Sequence, residues 1–271
     1  MQSTNEKLDK LKRILIDIES AVLGFSGGVD SSFLLRVAHD VLGDKLLAVT
    51  ANSETYPAEE LAEARDIART VGAQHVVIDT HELDNPCFAA NPPDRCYYCK
   101  HELFDELRKI ADARGLKHVL DATNLDDVAD FRPGRRAAAE LAVRSPLKEA
   151  GLTKTEIRKY SAYLGLPTWN KPAAACLSSR FPYGAQITRE GLSQVGRAET
   201  VLRGLGFGQL RVRHHDRIAR IEVEPGDFQQ LLDPQQRLRV VEALRELGYS
   251  YVTLDLAGYR TGSMNEVLDL A

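Results

Sequence analysis

One stretch, from Ala21 to Leu42, constrains the fold more than any other. An apolar pentapeptide, Ala21 to Phe25, runs into Ser26-Gly27-Gly28-Val29-Asp30-Ser31-Ser32, and an amphipathic helical pattern carries on from Ser31 to Leu42. A short apolar run with no polar alternation reads as a strand buried on both faces. Feeding it through paired glycines into a helix gives the repeating unit of a parallel sheet covered by helices.

The rest of the first two-thirds repeats that unit. Leu46 to Thr50, His75 to Ile78 and His118 to Asp121 read as strands. About Ala58 to Val71 and Tyr97 to Arg114 read as helices, and the Pro- and Asn-rich stretch Asp84 to Asp94 as a loop. Ahead of them, Leu8, Leu11, Leu15 and Ile18 fall on one face at helical spacing. In such sheets ligands sit at the carboxyl ends of the strands, where strand order reverses.

The pattern changes near Phe181-Pro182-Tyr183-Gly184. Beyond it Glu190 to Leu205 and Asp233 to Leu247 read as helices. Gln209 to His214 and Ile218 to Val223 read as a hairpin, and Tyr251 to Leu256 as a further strand. The fold class expected is α/β, a doubly wound and mostly parallel sheet over residues 1–180, followed by a smaller α+β domain over 181–271.

Composition narrows the function. The 271 residues carry a formal net charge of −4 with no long basic block, which argues against a large nucleic-acid partner. No apolar run is long enough to span a bilayer, and Met1 to Ser20 lacks the three-part layout of a secretory signal, so no membrane role and a cytoplasmic location are expected. In a reducing compartment Cys87, Cys96, Cys99 and Cys176 are not expected to form structural disulfides, and Cys96-Tyr97-Tyr98-Cys99 has the spacing of metal or redox work.

The glycine-rich loop carries the most specific chemistry. Gly27 and Gly28 let the backbone approach a ligand, amides at a helix start favour bound phosphate, and the hydroxyls of Ser26, Ser31 and Ser32 add donors. No lysine follows the glycines, unlike the nucleoside-triphosphate loop, and the third glycine of a dinucleotide fingerprint is missing. The plain alternative is a tight turn with Asp30 or Ser31 capping the helix. Asp30 is also a candidate for placing Mg2+ on the bound phosphates.

The Ser-Gly-Gly-Val-Asp-Ser-Ser run resembles the pyrophosphate-binding (PP) loop of the ATP pyrophosphatase superfamily. Ala122-Thr123-Asn124-Leu125-Asp126-Asp127, Ser145-Pro146-Leu147, the run Leu152 to Arg158 and Leu164-Gly165-Leu166-Pro167 agree with it. The likeness covers roughly residues 20 to 180 and implies an ATP-binding domain that adenylates a carboxylate or carbonyl oxygen and holds the departing pyrophosphate.

A second likeness covers nearly the whole chain. Cys176-Leu177-Ser178-Ser179-Arg180-Phe181-Pro182-Tyr183-Gly184, with Asp255-Leu256-Ala257-Gly258-Tyr259-Arg260, is similar to the LarE family. That family adenylates the carboxylates of pyridinium-3,5-biscarboxylic acid mononucleotide and replaces oxygen by sulfur, making the nickel-pincer cofactor of lactate racemase. The resemblance implies Cys176 as the sulfur-transferring residue. One branch sacrifices the sulfur of a single cysteine, leaving dehydroalanine; another holds a [4Fe-4S] cluster on three cysteines. With Cys96 and Cys99 beside Cys176, this sequence looks like the second. A zinc site that also recruits Cys87 and a bare Cys96/Cys99 redox pair stay open behind it.

The chemistry stands beside the resemblance. An acyl adenylate is electrophilic at carbon and a thiolate attacks it near neutral pH, with Arg180 placed to lower the pKa of Cys176. A buried apolar cysteine after Ala173-Ala174-Ala175 is the bland alternative. Arg211 and Arg213 share one face of a predicted strand and, with Ser179 and Arg180, are candidates for gripping the substrate's phosphate or carboxylates; a solvated face partnered by Glu222 and Glu224 is the other reading. Glu199, Glu222 and Asp227 read as solvated carboxylates rather than acid-base or metal groups, and no partner is identifiable for His214, His215 or Trp169.

The partners implied are a small nucleotide substrate, sulfur and electron donors, and further copies of the same chain. Two other enzymes share the loop: a tRNA-thiolating sulfurtransferase, which needs a basic surface, and an ammonia-dependent amidating enzyme, which leaves the cysteines unexplained. A nucleotide-binding regulatory module without turnover is the non-enzymatic alternative.

Overall fold

A computed structural model describes residues 2–128, 133–172 and 175–268; Ala173 and Ala174 of the alanine run lie outside them. The chain divides into two compact units, Met1–Phe88 with Asp94–Ala174, and Ala89–Pro93 with Ala175–Ala271.

The first unit is wound about four parallel strands, β1 (Ala21–Gly24), β2 (Leu46–Asn52), β3 (Gln74–Asp79) and β4 (His118–Leu120), in the order β3-β2-β1-β4. Its helices are α1 (Gln2–Ile18), α2 (Val29–Leu42), α3 (Ala58–Val71), the short α4 (Pro86–Ala89), α5 (Arg95–Ala113), α6 (Gly134–Glu140), α7 (Pro146–Ala150) and α8 (Lys154–Tyr163). The residues Asp84 to Asp94, expected as loop, thus include one turn of helix at α4.

Strand periodicity explains the double winding. Ala21 and Leu23 of β1 and Leu46 and Ala48 of β2 enter one core with Leu11, Leu15 and Ile18 of α1, Phe33 to Leu35 of α2 and Ile157 of α8. Their neighbours Val22, Leu47 and Val49 enter a second core with Phe104 and Leu107 of α5 and Ala137 of α6. Successive side chains point to opposite faces, so a continuous apolar strand needs cover on both. Strand order turns back between β1 and β4, which makes the carboxyl ends of those two strands the switch point of the sheet.

The α8 terminus shows how the helices are anchored. Thr153 Oγ1 accepts from Glu156 N at 3.3 Å while Glu156 Oε2 accepts from Thr153 N at 2.9 Å, a reciprocal cap. Lys7 of α1 then donates to Glu156 at 2.8 Å, tying the two helices together.

The second unit holds α9 (Arg189–Gly204), β5 (Leu210–His215), β6 (Ile218–Val223), α10 (Phe228–Leu232), α11 (Pro234–Glu246) and β7 (Tyr251–Leu254). β5 and β6 form the antiparallel hairpin read from the sequence, and β7 returns parallel to β6 after the helical crossover, giving a mixed sheet. Leu210, Val212, Ala219, Ile221 and Val223 pack with Ala198 and Leu202 of α9 and with Val240 and Leu244 of α11. Among the described residues no helix is long and apolar enough to cross a membrane.

Candidate active site

The glycine-rich loop lies between β1 and α2, at the switch point. Gly27 has φ +65°, a region where a side chain is strained, and a Cβ there would stand 3.1 Å from Ala64 of α3. Gly28 occupies the N-cap of α2 with no side-chain cap, so neither Asp30 nor Ser31 plays the capping part open to them on sequence. The loop is instead held by its own hydroxyls. Ser26 Oγ and Ser31 Oγ are 3.1 Å apart, Ser31 Oγ donates to Gly28 O, and Tyr56 Oη donates to Ser26 O at 2.6 Å. Burial, then Glu60 and Glu63, push the Tyr56 pKa upward, which keeps this donor protonated. Ser32 Oγ is buried with no hydrogen-bond partner among the described residues.

Asp30 faces Lys154. Its Oδ2 accepts from Lys154 Nζ at 2.5 Å, while Oδ1 is buried and unpartnered among the described residues. Burial raises its carboxyl above the usual aspartate range; Lys154 opposes this and Asp127 adds to it. A carboxylate with one orphaned buried oxygen beside a phosphate-type loop fits a hard cation such as Mg2+.

The segment after β4 supplies the opposite wall of the switch point. Asp121 accepts from Thr123 Oγ1 at 2.7 Å and Ser145 Oγ at 2.6 Å, and Asn124 Oδ1 accepts from the amide of Asp126 at 2.8 Å. Asp126 Oδ2 accepts from the Lys154 amide at 2.8 Å. The motifs read separately thus meet at this segment, Ser145 through Asp121 and Lys154 through Asp126.

In the second unit the structure brings together Cys176, Ser179, Arg180, Arg211 and Arg213. Arg180 is buried and donates Nε and Nη2 to the two oxygens of Glu199 at 2.7 and 2.8 Å. Its Nη1 reaches Ala175 O at 2.9 Å, Cys176 O at 3.1 Å and Ser179 Oγ at 2.8 Å, which fixes the backbone that carries the thiol. Arg213 makes the same fork to Glu222, at 2.9 and 2.7 Å, and donates Nη1 to Ser179 O at 2.7 Å. Arg211 is buried over the ring of Tyr259; burial first, and then Arg180, hold its pKa below the usual guanidinium range. Cys176 itself is exposed, so the buried apolar reading of this cysteine does not hold.

Two carboxylates need correction. Glu199 and Glu222, read from sequence as solvated, are 0% and 1% exposed. Glu199 also accepts from Val212 N at 3.1 Å and Arg203 Nη2 at 3.0 Å. They are the counter-charges without which Arg180 and Arg213 could not be buried. Asp227 is half-buried at the start of α10. His214 meets Tyr249 Oη at 3.2 Å, and the carbonyl of Trp169 accepts from Arg158 at 2.8 Å.

Cys96 and Cys99 lie in the first turn of α5, in the first unit, with Cys96 exposed and Cys99 half-buried. Cys99 Sγ donates to Glu82 Oε1 at 3.5 Å. Cys176 belongs to the second unit, and among the described residues no group of three His, Cys, Asp or Glu side chains is assembled to hold a metal ion. Two thiols on one helical turn do not by themselves supply the three ligands of a cluster. Cys87, exposed in α4, donates its backbone N–H to Asn85 Oδ1.

Tyr56, Glu60, Glu63 and Lys171 around the loop carry no local sequence signal, whereas Lys154 stands inside the run Leu152 to Arg158.

This is a PP-loop-type nucleotide-binding α/β fold with a second α+β unit bearing a cysteine and three buried arginines. The description NAD synthase matches residues 6–96. The chain is 42% identical over 275 residues to pyridinium-3,5-bisthiocarboxylic acid mononucleotide synthase of Lactiplantibacillus plantarum, covering 100% of this chain and 98% of that protein. It is 47% identical over 262 residues to an uncharacterized protein, slr1717, of Synechocystis, covering 97% and 98%. A GMP synthase of Shewanella piezotolerans is 29% identical over 182 residues, 60% of this chain and 34% of that enzyme. The chain belongs to the pyridinium-3,5-bisthiocarboxylic acid mononucleotide synthase (LarE) family.

Proposed function

We propose that this chain is an ATP-dependent sulfurtransferase that converts the carboxylates of pyridinium-3,5-biscarboxylic acid mononucleotide into thiocarboxylates. The observation that carries the reading is the pairing of a full-length family match with an exposed Cys176 whose backbone is clamped by a buried, counter-charged Arg180.

The steps follow from the residues. ATP phosphates lie against the amides of the loop from Ser26 to Ser32, at the uncapped start of α2. A substrate carboxylate oxygen attacks the α-phosphorus, and the bond to pyrophosphate breaks. Asp30 would hold Mg2+, which supplies charge neutralisation on the phosphates. The Cys176 thiolate then attacks the carboxyl carbon of the acyl adenylate and AMP departs with the electron pair of the C–O bond. Loss of the Cys176 α-proton with cleavage of Cβ–Sγ leaves sulfur on the product and dehydroalanine on the chain. Ser179, Arg180, Arg211 and Arg213 border this segment: Ser179 and Arg211 supply donors for the phosphate and second carboxylate of the substrate, and Arg180 and Arg213, engaged with Glu199 and Glu222, fix the backbone that presents them. The alternative for the sulfur step is a [4Fe-4S] cluster, which Cys96, Cys99 and Cys176 would hold and which would supply a transferable sulfide.

The test is turnover with ATP, Mg2+ and the dicarboxylate substrate. Wild type releases pyrophosphate and forms thiocarboxylate; Cys176→Ala binds ATP and releases pyrophosphate but forms none. Thiocarboxylate formation by Cys176→Ala refutes the role of this thiol. Intact mass and iron content on one anaerobic sample separate the two sulfur routes. A chain lighter by the mass of hydrogen sulfide, without iron, identifies the sacrificial route; an unchanged mass with iron and sulfide identifies the cluster.

A further inference from the structure

Lys171 is built into the wall of the glycine-rich loop. Its Nζ donates to Glu60 Oε2 and Glu63 Oε2, each at 2.6 Å, and stands 3.4 Å from the carbonyl oxygen of Gly27. An ammonium has three donors, and these three acceptors use them all. The side chain is only 15% exposed. Burial pulls its pKa down, but the hydrogen bonds to Glu60 and Glu63 outweigh that and hold it charged.

The backbone behind Lys171 is braced as well. Arg158 of α8 donates Nη1 to Trp169 O and Nη2 to Lys171 O, both at 2.8 Å, which pins the turn. Glu60 and Glu63 project from α3, whose Ala64 is the residue packed against Gly27. One face of α3 therefore both fits the loop glycine and holds the ammonium at that glycine's carbonyl.

The charge balance at this wall is unusual for an anion site. Glu60, Glu63 and Asp30 oppose Lys154 and Lys171, so the described side chains sum to one negative charge beside a loop whose uncapped amides favour phosphate. A polyphosphate entering there gains nothing from lysines already neutralised unless one of them changes partner.

We propose that Lys171 is a pyrophosphate-binding residue: its ammonium leaves Glu60 and Glu63 for the phosphate oxygens of a nucleoside triphosphate in the loop, and the two carboxylates set how readily it does so. This rests on the nucleotide reading given above. Glu60 and Glu63 compete with the ligand for one cation, so removing their charge strengthens phosphate binding, the reverse of what a structural tie between α3 and the loop would give.

The experiment is titration of the full-length protein with ATP, inorganic pyrophosphate and adenosine, by calorimetry and by fluorescence of Trp169, the single tryptophan of the chain. Lys171→Ala is expected to weaken ATP and pyrophosphate by about ten- to a hundredfold, the range of one lost charge-assisted hydrogen bond, and to leave adenosine unchanged. The double variant Glu60→Gln/Glu63→Gln, which keeps the shape of both side chains, is expected to bind pyrophosphate several-fold more tightly than wild type, by roughly 3–10-fold. Equal pyrophosphate affinity in Lys171→Ala and wild type overturns the proposal, as does weaker binding by the double glutamine variant. A wild-type protein that binds neither ATP nor pyrophosphate overturns the nucleotide reading itself, and with it this inference.

Discussion

Replacing Glu199 by alanine removes the counter-charge of the most enclosed ion pair in the second unit. The carboxylate accepts from Arg180 Nε and Nη2, Arg203 Nη2 and Val212 N, and it is 0% exposed. Arg203 is 44% exposed and regains water, so its share is small. Arg180 is 2% exposed and stays behind as a buried guanidinium, the situation that costs about 3–5 kcal/mol. Against a total of about 5–15 kcal/mol for a domain, that removes a large part of the stability of the unit. Burial raises the Glu199 pKa, but Arg180, the Val212 amide and Arg211 together more than offset it, and the net direction is downward. The sign follows: the native state binds fewer protons here than the unfolded chain, so this stability is present above the unfolded carboxylate pKa, near 4.3, and is lost as pH falls through the lower native value.

Urea unfolding reports the effect. Far-UV circular dichroism follows both units, whereas Trp169 fluorescence follows the first. The expected result for Glu199→Ala is an early dichroism transition, with the fluorescence midpoint near its wild-type position. Arg180→Met/Glu199→Leu, which removes both charges, is expected to recover most of the loss while still abolishing sulfur transfer, because the guanidinium that ties the carbonyls of Ala175 and Cys176 together is gone. A dichroism shift worth less than about 1 kcal/mol in Glu199→Ala would refute the claim that this pair is dry and structural.

Other outcomes follow from single positions. Gly27→Ala forces a side chain into φ +65° and against Ala64, at about 1–2 kcal/mol for the backbone alone, and should abolish ATP binding by calorimetry; Gly28→Ala, at φ −78° with Ser26 Oγ 3.4 Å away, should be far milder. Thr153→Ala removes the reciprocal cap of α8 and should lower stability by about 1 kcal/mol in a thermal melt. Burial is the leading cause that lowers the pKa of His75, His118, His214 and His215. Their stability contribution is full above the unfolded histidine pKa, about 6.5, and is lost as pH falls through their lower native values, so the melting temperature should begin to fall in that range before carboxylates titrate.

Much of the fold could be read along the chain because it rests on short-range spacing. The apolar run of β1, the helical stripe Leu11, Leu15, Ile18 and the alternation in β5 each announce an element within a few residues. The parallel return of β7 could not be read, since strand direction is decided by the crossover of α10 and α11 and not by the residues of the strand.

The sites divide in the same way. Sequence alone marked the glycine-rich loop, because close backbone approach demands glycine and that demand is written in residue type, while the family resemblance of its segment singled out Cys176 as the candidate for sulfur transfer. Only the tertiary structure decided which charges are buried. Glu199 and Glu222 look like any surface carboxylates until packing removes their water, and Glu60, Glu63 and Lys171 meet only because α3 and the turn after α8 reach the same loop. The physical reason is that desolvation belongs to a residue's neighbours in space, and those neighbours here stand up to 144 positions away along the chain.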